Sequence, residues 1–342
     1  MSARQRQEPL RRFPYPRAGL VAGAAIIILG TASPSRSEGF VAPVRDAPAT
    51  VWAVGDGADG SAGAISVGDL IERGSPDRFL YLGDVYTEGT AEEFTDHYAT
   101  VYGPLDQITA PTPGNHEWDK RGVGYYPYWS GVTGQAVPDW YAFRVAGWQL
   151  LSLNSEAAHE EGSAQLRWLK QTLRGTRGPG TCRIAFWHRP LYSAGTNGDQ
   201  ADVEPLWNAL EGSASIVING HDHDMQRHRR RRGIVEFVAG SGGHDLRDVD
   251  EADPRLAFAA DQTLGALRLV LRRRRASYAF VALDGTVLDA GTKRCRRRGE
   301  RPRRSARHDS LRHASRATSA QISEVGRSPS MMRTPISRAL SW

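Results

Sequence analysis

The sequence predicts an α/β fold of two mixed sheets packed face to face, with helices outside. Three observations carry that expectation. Short apolar runs alternate with helical periodicity in the first part of the chain, the pattern of βαβ units. The later runs follow one another without helices between them, as antiparallel strands do. Several runs stop at Asp, Asn or His rather than at a plain turn, and ligands in open α/β sheets gather at the carboxyl ends of strands.

Taken in order, Ala49 to Gly55 reads as the first core strand and ends at Asp56. Small residues with Leu70-Ile71 over residues 61–73 suggest a helix returning across the sheet. Phe79 to Leu82 is the second strand, ending in Gly83-Asp84. Ala91 to Tyr102 has helical spacing behind Thr90, an N-cap residue type. Ile108 to Pro113 leads into Gly114-Asn115-His116-Glu117. From Trp118 to Trp140 the chain is rich in Gly, Pro, Tyr and Trp and reads as a long surface loop beside the site. Tyr141–Val145 and Gln149–Leu153 flank Ala146-Gly147-Trp148 as a hairpin. Gln165 to Leu173 is a helix, Arg183 to Trp187 a strand ending at His188, and Asp202 to Leu210 a helix. Ile216 to Ile218 is a buried strand that stops at Asn219-Gly220. Three more strands follow: Ile234–Ala239, Leu264–Leu271 and Ser277–Leu283. No internal repeat is visible.

A chain of 342 residues accommodates one large domain or two small ones, and 40% apolar with 24% charged residues fits a globular protein. The formal charge of +6 misleads as an average. Residues 1–19 are +4 and residues 296–342 are +9, so residues 20–295 are −7. The folded part is acidic and the basicity sits at the two ends.

Residues 1–33 read as a signal peptide: Arg11-Arg12 and Arg17 precede an uncharged run from Gly19 to Gly30, followed by small residues at Thr31-Ala32-Ser33. The run is short of the about 20 residues a span needs; an uncleaved anchor or a buried helix is the alternative. The arginine pair suggests twin-arginine export. Residues 34–48 are Pro-, Ser-, Arg- and Ala-rich and read as a linker, 49–295 as the folded domain, and 296–342 as a disordered Arg/Ser-rich tail. Two cysteines, Cys182 and Cys295, favour a disulfide in an exported chain, with two unrelated thiols as the alternative.

The chemistry gathers at the strand ends: Asp56, Asp84, Asn115-His116, His188, and His221 with His223. Alternate residues at a strand end point the same way, so His221 and His223 can aim at one point. Carboxylate, amide and imidazole without thiolate suit Zn, Fe or Mn. Two carboxylates, one amide and three ligand-type histidines exceed the need of a single ion. A shared carboxylate holds two ions about 3.5–4 Å apart.

Gly55-Asp56, Gly83-Asp84, Gly114-Asn115-His116-Glu117, His188 and Gly220-His221-Asp222-His223 resemble, in this order, the motif set of the calcineurin-like metallophosphoesterases. The purple-acid-phosphatase-like branch is the nearest, and the likeness covers roughly residues 49–295. It implies a four-layer α/β/β/α sandwich of two mixed sheets, the metallo-dependent phosphatase fold. It implies an exported enzyme with two divalent or mixed-valence metal ions (Fe, Zn or Mn) that hydrolyses phosphate monoesters by in-line attack of a metal-bound hydroxide. A phosphodiesterase or nucleotidase on the same site is the alternative. Asp84 would bridge the metals, Asp56 and His223 would hold the first, and Asn115, His188 and His221 the second. His116 would face the scissile phosphate and protonate the leaving oxygen, with Asn115 and Arg189 helping to bind substrate.

Two departures stand out. The broader superfamily carries Asp-x-His at its first motif, but Gly57 and Ala58 follow Asp56 here. Purple acid phosphatases lack that histidine and use a tyrosine three residues after the bridging aspartate. That position is Thr87 in this chain, and Tyr86 stands two residues after Asp84. Tyr86 is carried as a candidate ligand: an extended segment would turn it the wrong way, whereas a loop absorbs the shift.

Glu117 and Asp222 are read as partners orienting histidines or as surface acids, Asn154 as a cleft residue or a structural one, and His244 as lying on a flexible loop. Arg229–Arg232 and Arg272–Arg275 are charge runs in turns, and with the tail they motivate a rival class, a polyanion-binding protein. No aromatic-interleaved groove accompanies them. The expected partner is therefore a small phosphate ester, with no specific nucleic acid and no stable membrane span after signal cleavage.

Overall fold

The structure is a computed structural model that describes residues 39–175 and 181–295. The expected signal peptide, residues 34–38 of the expected linker and the 296–342 tail lie outside the described residues. Among the described residues no helix is long and apolar enough to cross a membrane.

Among the described residues thirteen strands form two sheets. The first is built from β1 (Ala49–Val54), β2 (Arg78–Tyr81) and β3 (Thr109–Pro111), with β11 (Gly265–Arg272), β12 (Arg275–Ala282) and β13 (Val287–Arg294) beside them. Its order is β13-β12-β11-β1-β2-β3. The second contains β4 (Tyr141–Val145), β5 (Trp148–Ser152), β6 (Arg183–Phe186), β7 (Ile216–Asn219), β8 (Met225–His228), β9 (Val235–Ala239) and β10 (Leu256–Ala260), ordered β10-β8-β9-β7-β6-β5-β4. Both sheets are mixed: in the first, parallel β1-β2-β3 form one side and antiparallel β11-β12-β13 the other, and in the second a parallel centre, with β7 parallel to both β6 and β9, is flanked by antiparallel strands. The parallel strands are buried on both faces, which is why they read as continuous apolar runs.

One core cluster fills the space between the sheets, with Val51, Leu80, Leu150, Ile184, Ile218, Phe237, Leu267 and Phe280 among its members. Outside the second sheet, helices Ala164–Gly175 and Glu204–Leu210 bury Leu166, Leu169, Leu206 and Leu210 against Leu151, Ala185 and Val217. Helix Ala62–Arg73 covers the first sheet, capped by Ser61, whose Oγ accepts from the Ala64 amide at 3.1 Å. Thr90 opens the next helical stretch with a capping box closed by Glu93, and this stretch runs on through Tyr102 with a π-helical segment over Phe94–Tyr98. The β4–β5 hairpin turns on Ala146 and Gly147, both at positive φ, as a two-residue turn of this hand requires.

Two expectations are corrected. The 118–140 stretch is not an irregular loop: helix Tyr125–Thr133 forms inside it. Its Tyr125 and Trp129 are buried, with the Trp129 ring 5.2 Å from that of Tyr98. Two of the aromatic residues that suggested a functional loop are therefore core. The linker is also shorter than read, because Phe40 and Val41 are buried and Val44 bridges Val145. Apolar side chains that find a core pull the chain into the body.

Cys182, just before β6, and Cys295, just after β13, form a disulfide with Cα atoms 5.4 Å apart across 113 residues of sequence. In the chain-entropy model such a bridge contributes about 4–5 kcal/mol. It ties the two sheets together at the end where β1 begins, since Ala49 pairs with Leu271 and the Cys182 Sγ lies against the Arg273 carbonyl. The Arg272–Arg275 turn sits at that end too, as do Arg229–Arg232, between β8 and β9. Both runs therefore lie roughly 20 Å along the strands from the carboxyl ends of the parallel strands.

Candidate metal centre

The carboxyl ends of β1, β2, β6, β7 and β9 meet at one edge of the sandwich and are stitched together by backbone hydrogen bonds. The Gly55 amide donates to the Ala239 carbonyl at 2.9 Å, and the Asp56 amide to the Gly83 carbonyl at 3.0 Å. Asp56, Asp84 and His221 each adopt a positive φ, of 59°, 69° and 74°. Non-glycine residues in that region cost about 1–3 kcal/mol each and persist where the surroundings over-determine them. All three sit where metal chemistry was read from the sequence.

Glycine makes room for the carboxylates. A Cβ on Gly114 would stand 2.1 Å from Asp84 Oδ1, and one on Gly220 would stand 2.5 Å from Asp56 Oδ2. The Asp84 loop is held from beneath by Glu117, which is fully buried and accepts from the Asp84 and Val85 amides at 3.1 and 3.2 Å. Burial and the Asp84 charge push the Glu117 carboxyl up to about 8. Glu117 thus positions Asp84, not a histidine.

His188 has the clearest geometry of a cation-binding side chain. It is fully buried, and its Nδ1 lies 2.9 Å from the Leu82 carbonyl, which can only accept. Nδ1 therefore carries a proton, and Nε2 is the atom left to meet a cation, whether a metal ion or a second proton. It faces Asn115 Oδ1 at 3.1 Å, His221 Nδ1 at 3.1 Å and Asp84 Oδ2 at 3.3 Å. Two oxygen acceptors and a second ring nitrogen gathered around that atom suit a positive charge between them. Asp84, His188 and His221 each bring one ligand atom within 4.8 Å of the others. Burial opposes the charge on His188, yet the Asp84 carboxylate outweighs it and lifts its pKa to about 10. Burial and the His188 charge push His221 down to about 3. A single proton is a poor substitute for a metal here.

A second group of donors adjoins the first. His223 Nδ1 lies 2.8 Å from the Asp245 carbonyl, so its Nε2 presents a lone pair. It faces the Tyr86 hydroxyl at 3.0 Å and Asp56 Oδ1 at 3.7 Å. The same hydroxyl lies 3.4 Å from both Asp56 Oδ1 and Asp84 Oδ2. Burial, then the charges of Asp56 and Asp84, drive the Tyr86 hydroxyl far above the ordinary phenol range. Asp84 Oδ2 is the atom common to both groups. The one-residue shift of the tyrosine therefore does not turn it away, because the loop after β2 carries its hydroxyl among the donors.

His116 stands at the open side. Its Nδ1 donates to the Thr87 carbonyl at 2.6 Å, its Nε2 lies 3.8 Å from Asp84 Oδ2, and its side chain is 32% exposed. Asn115 is likewise open to solvent, whereas Asp56, Asp84, His188 and His223 are buried.

Arg189 departs from its expected role. Its guanidinium bonds Glu156 at 3.0 Å, Asp202 at 2.7 Å and the Ser155 carbonyl at 2.6 Å, so it braces a loop instead of facing the donors. Asn154 is buried, and its Oδ1 caps the turn at Glu156 and Ala157. Asp222, also buried, accepts from the Asn197 amide at 2.7 Å. His244 is closer than the sequence suggested. Its ring stacks on Tyr86 at 3.9 Å, it pairs with Asp59 at 3.1 Å, and its amide donates to the Asp56 carbonyl. The Ser241-Gly242-Gly243-His244 run follows the end of β9, another strand end at which glycine precedes a histidine.

Comparison with known proteins agrees with this geometry. The sequence description of the calcineurin-like phosphoesterases matches residues 50–225, just over half of the chain. The fold is similar to that of purple acid phosphatase PPD1 from yellow lupin (Lupinus luteus) seeds, with a TM-score of 0.62 and 19% identity over 73% of this chain and 54% of that one. The chain thus spans about half the length of the lupin protein. It is also similar to GAP50, the anchor in the inner membrane complex of Plasmodium, with a TM-score of 0.61 and 16% identity over 78% of this chain and 94% of that one. A dimetal phosphatase from Danio rerio aligns with a TM-score of 0.52 and 15% identity, over 72% of this chain and 99% of its own.

Proposed function

Because the chain belongs to the calcineurin-like phosphoesterase family, we propose that it is an exported phosphomonoesterase working with two metal ions. Fold alone does not carry the assignment, since one protein of similar fold is described as an anchor. The observation that carries it is the convergence on His188 Nε2 of Asn115 Oδ1, Asp84 Oδ2 and the His221 ring nitrogen, beside a second donor group that shares Asp84.

Asn115, His188, His221 and Asp84 would hold one ion, and Asp56, Tyr86, His223 and Asp84 the other. Oxygen and imidazole donors with one phenol and no thiolate suit Fe, Zn or Mn. Two such cations neutralise a phosphate ester and lower the pKa of bound water towards about 7. The remaining work belongs to side chains. Asn115 and His116, at the open side, meet the substrate. With Nδ1 fixed as a donor to Thr87, His116 exchanges protons at Nε2, the atom turned towards the donors. A proton there goes to the oxygen of the departing alcohol. Arg189 is left out of substrate binding, given its carboxylate partners.

Export is supported by the leader-like residues 1–33 and by the disulfide. The arginine runs lie at the far end of the sandwich from the donors, which separates the polyanion reading from the catalytic one. The test is a comparison of p-nitrophenyl phosphate with bis-p-nitrophenyl phosphate on the full chain loaded with Fe, Zn or Mn. Preferred monoester turnover is the expected result. A diester preference would move the assignment to a phosphodiesterase, and no turnover of either ester with metals bound would end it.

A further inference from the structure

A phosphate monoester reaches the centre as a dianion, into a site already lined by Asp56, Asp84 and the hydroxyl of Tyr86. Its outer oxygens call for a cation from the protein, and the nearby cations differ in their freedom. Arg189 is paired with Glu156 and Asp202. Lys120 is paired with Glu88, and Arg121 lies over the Trp118 ring with its Nη1 on the Trp118 carbonyl. Arg247 has no carboxylate within ion-pair distance among the described residues.

Its placement follows from the segment after β9, which wraps the first donor group. His244 stacks on Tyr86, the Asp245 carbonyl takes the His223 Nδ1 proton, and the Arg247 amide donates to the His223 carbonyl at 3.1 Å. The guanidinium then reaches Asn197 Oδ1 at 3.3 Å, while Asn197 Nδ2 donates to the His221 carbonyl at 2.7 Å. Arg247 is thereby fixed beside both histidines of the His221-Asp222-His223 motif, half-buried, with a single weak hydrogen bond on a group that has five donors. Its charge is felt at the centre: it offsets part of the rise in the Tyr86 pKa and disfavours a proton on His223.

We propose that Arg247 is a substrate-binding residue whose guanidinium takes the outer oxygens of a terminal phosphate and so favours monoesters over diesters. A guanidinium matches two phosphate oxygens in a fork and keeps its charge at any working pH. A diester offers one negative charge fewer and one esterified oxygen more, so it gains less from the same contact. The inference rests on the phosphoesterase reading and names the group that sets its substrate class.

The test uses the full chain, metal-loaded, as wild type, Arg247→Ala and Arg247→Lys. Metal content, inorganic phosphate affinity by calorimetry, and kinetics on both p-nitrophenyl esters are measured together. Arg247→Ala is expected to keep its metals, raise the monoester KM and weaken phosphate binding by roughly 10- to 100-fold each, and change diester turnover little. Lysine should restore part of the phosphate affinity. Unchanged KM and phosphate affinity in Arg247→Ala would overturn the inference. So would equal losses on both esters accompanied by loss of metal, which mark a structural role. A wild type that binds metals but neither binds phosphate nor turns over either ester refutes the phosphoesterase reading itself, a different outcome from wild-type activity that Arg247→Ala leaves intact.

Discussion

Asp84→Asn is expected to empty the site of both metals and abolish turnover. Its Oδ2 lies 3.3 Å from His188 Nε2 and 3.4 Å from the Tyr86 hydroxyl, so it is the single atom common to the two donor groups. The amide keeps the shape but loses the charge that would hold two like-charged ions close together. The loss in affinity should exceed the roughly 10- to 100-fold typical of residues that only support a ligand. Elemental analysis after dialysis reads the result directly. Retention of one ion would place Asp84 in a single donor group, and retention of both would remove it from the metal centre.

His116→Ala is expected to behave in the opposite way, with both metals kept and chemistry lost. Its Nδ1 is tied to the Thr87 carbonyl and its Nε2 is turned towards the donors, 3.8 Å from Asp84 Oδ2. General acid catalysis contributes about 10²- to 10⁴-fold, and that range should appear in kcat for alkyl phosphates, whose leaving alkoxide needs a proton. Nitrophenolate leaves readily without one, so p-nitrophenyl phosphate should lose much less. Kinetics on the two esters decide the matter: a uniform loss across leaving groups would assign His116 to phosphate binding instead of proton transfer.

The site was legible from sequence because its grammar is local. A short apolar run followed by glycine and then Asp, Asn or His marks a strand that ends at a candidate ligand; β1, β2 and β7 each show it, and β6 runs into His188 without the glycine. The fold class followed from the same runs. What escaped depended on distant partners. β13 reads as polar because it is an edge strand with Val287 exposed, β8 carries mixed residues, and β10 is a short, partly exposed edge strand at the other sheet's end. The helix at Tyr125–Thr133 was hidden by Gly and Pro around aromatic residues whose core role appears only when Tyr98 packs against Trp129. Arg189 misled by its position beside His188; only the fold reveals that Glu156 and Asp202 meet it. Arg247 lies 24 residues past His223 and reaches the centre through Asn197, a contact no local pattern encodes.

The most direct test of the central claim is the metal stoichiometry of the purified full chain, measured by elemental analysis alongside phosphate-ester turnover before chelation, after it and after reloading. Two ions per chain, activity lost with them and recovered on adding back Fe, Zn or Mn, is the predicted result. Ester hydrolysis that persists undiminished in protein stripped of metal would contradict the account.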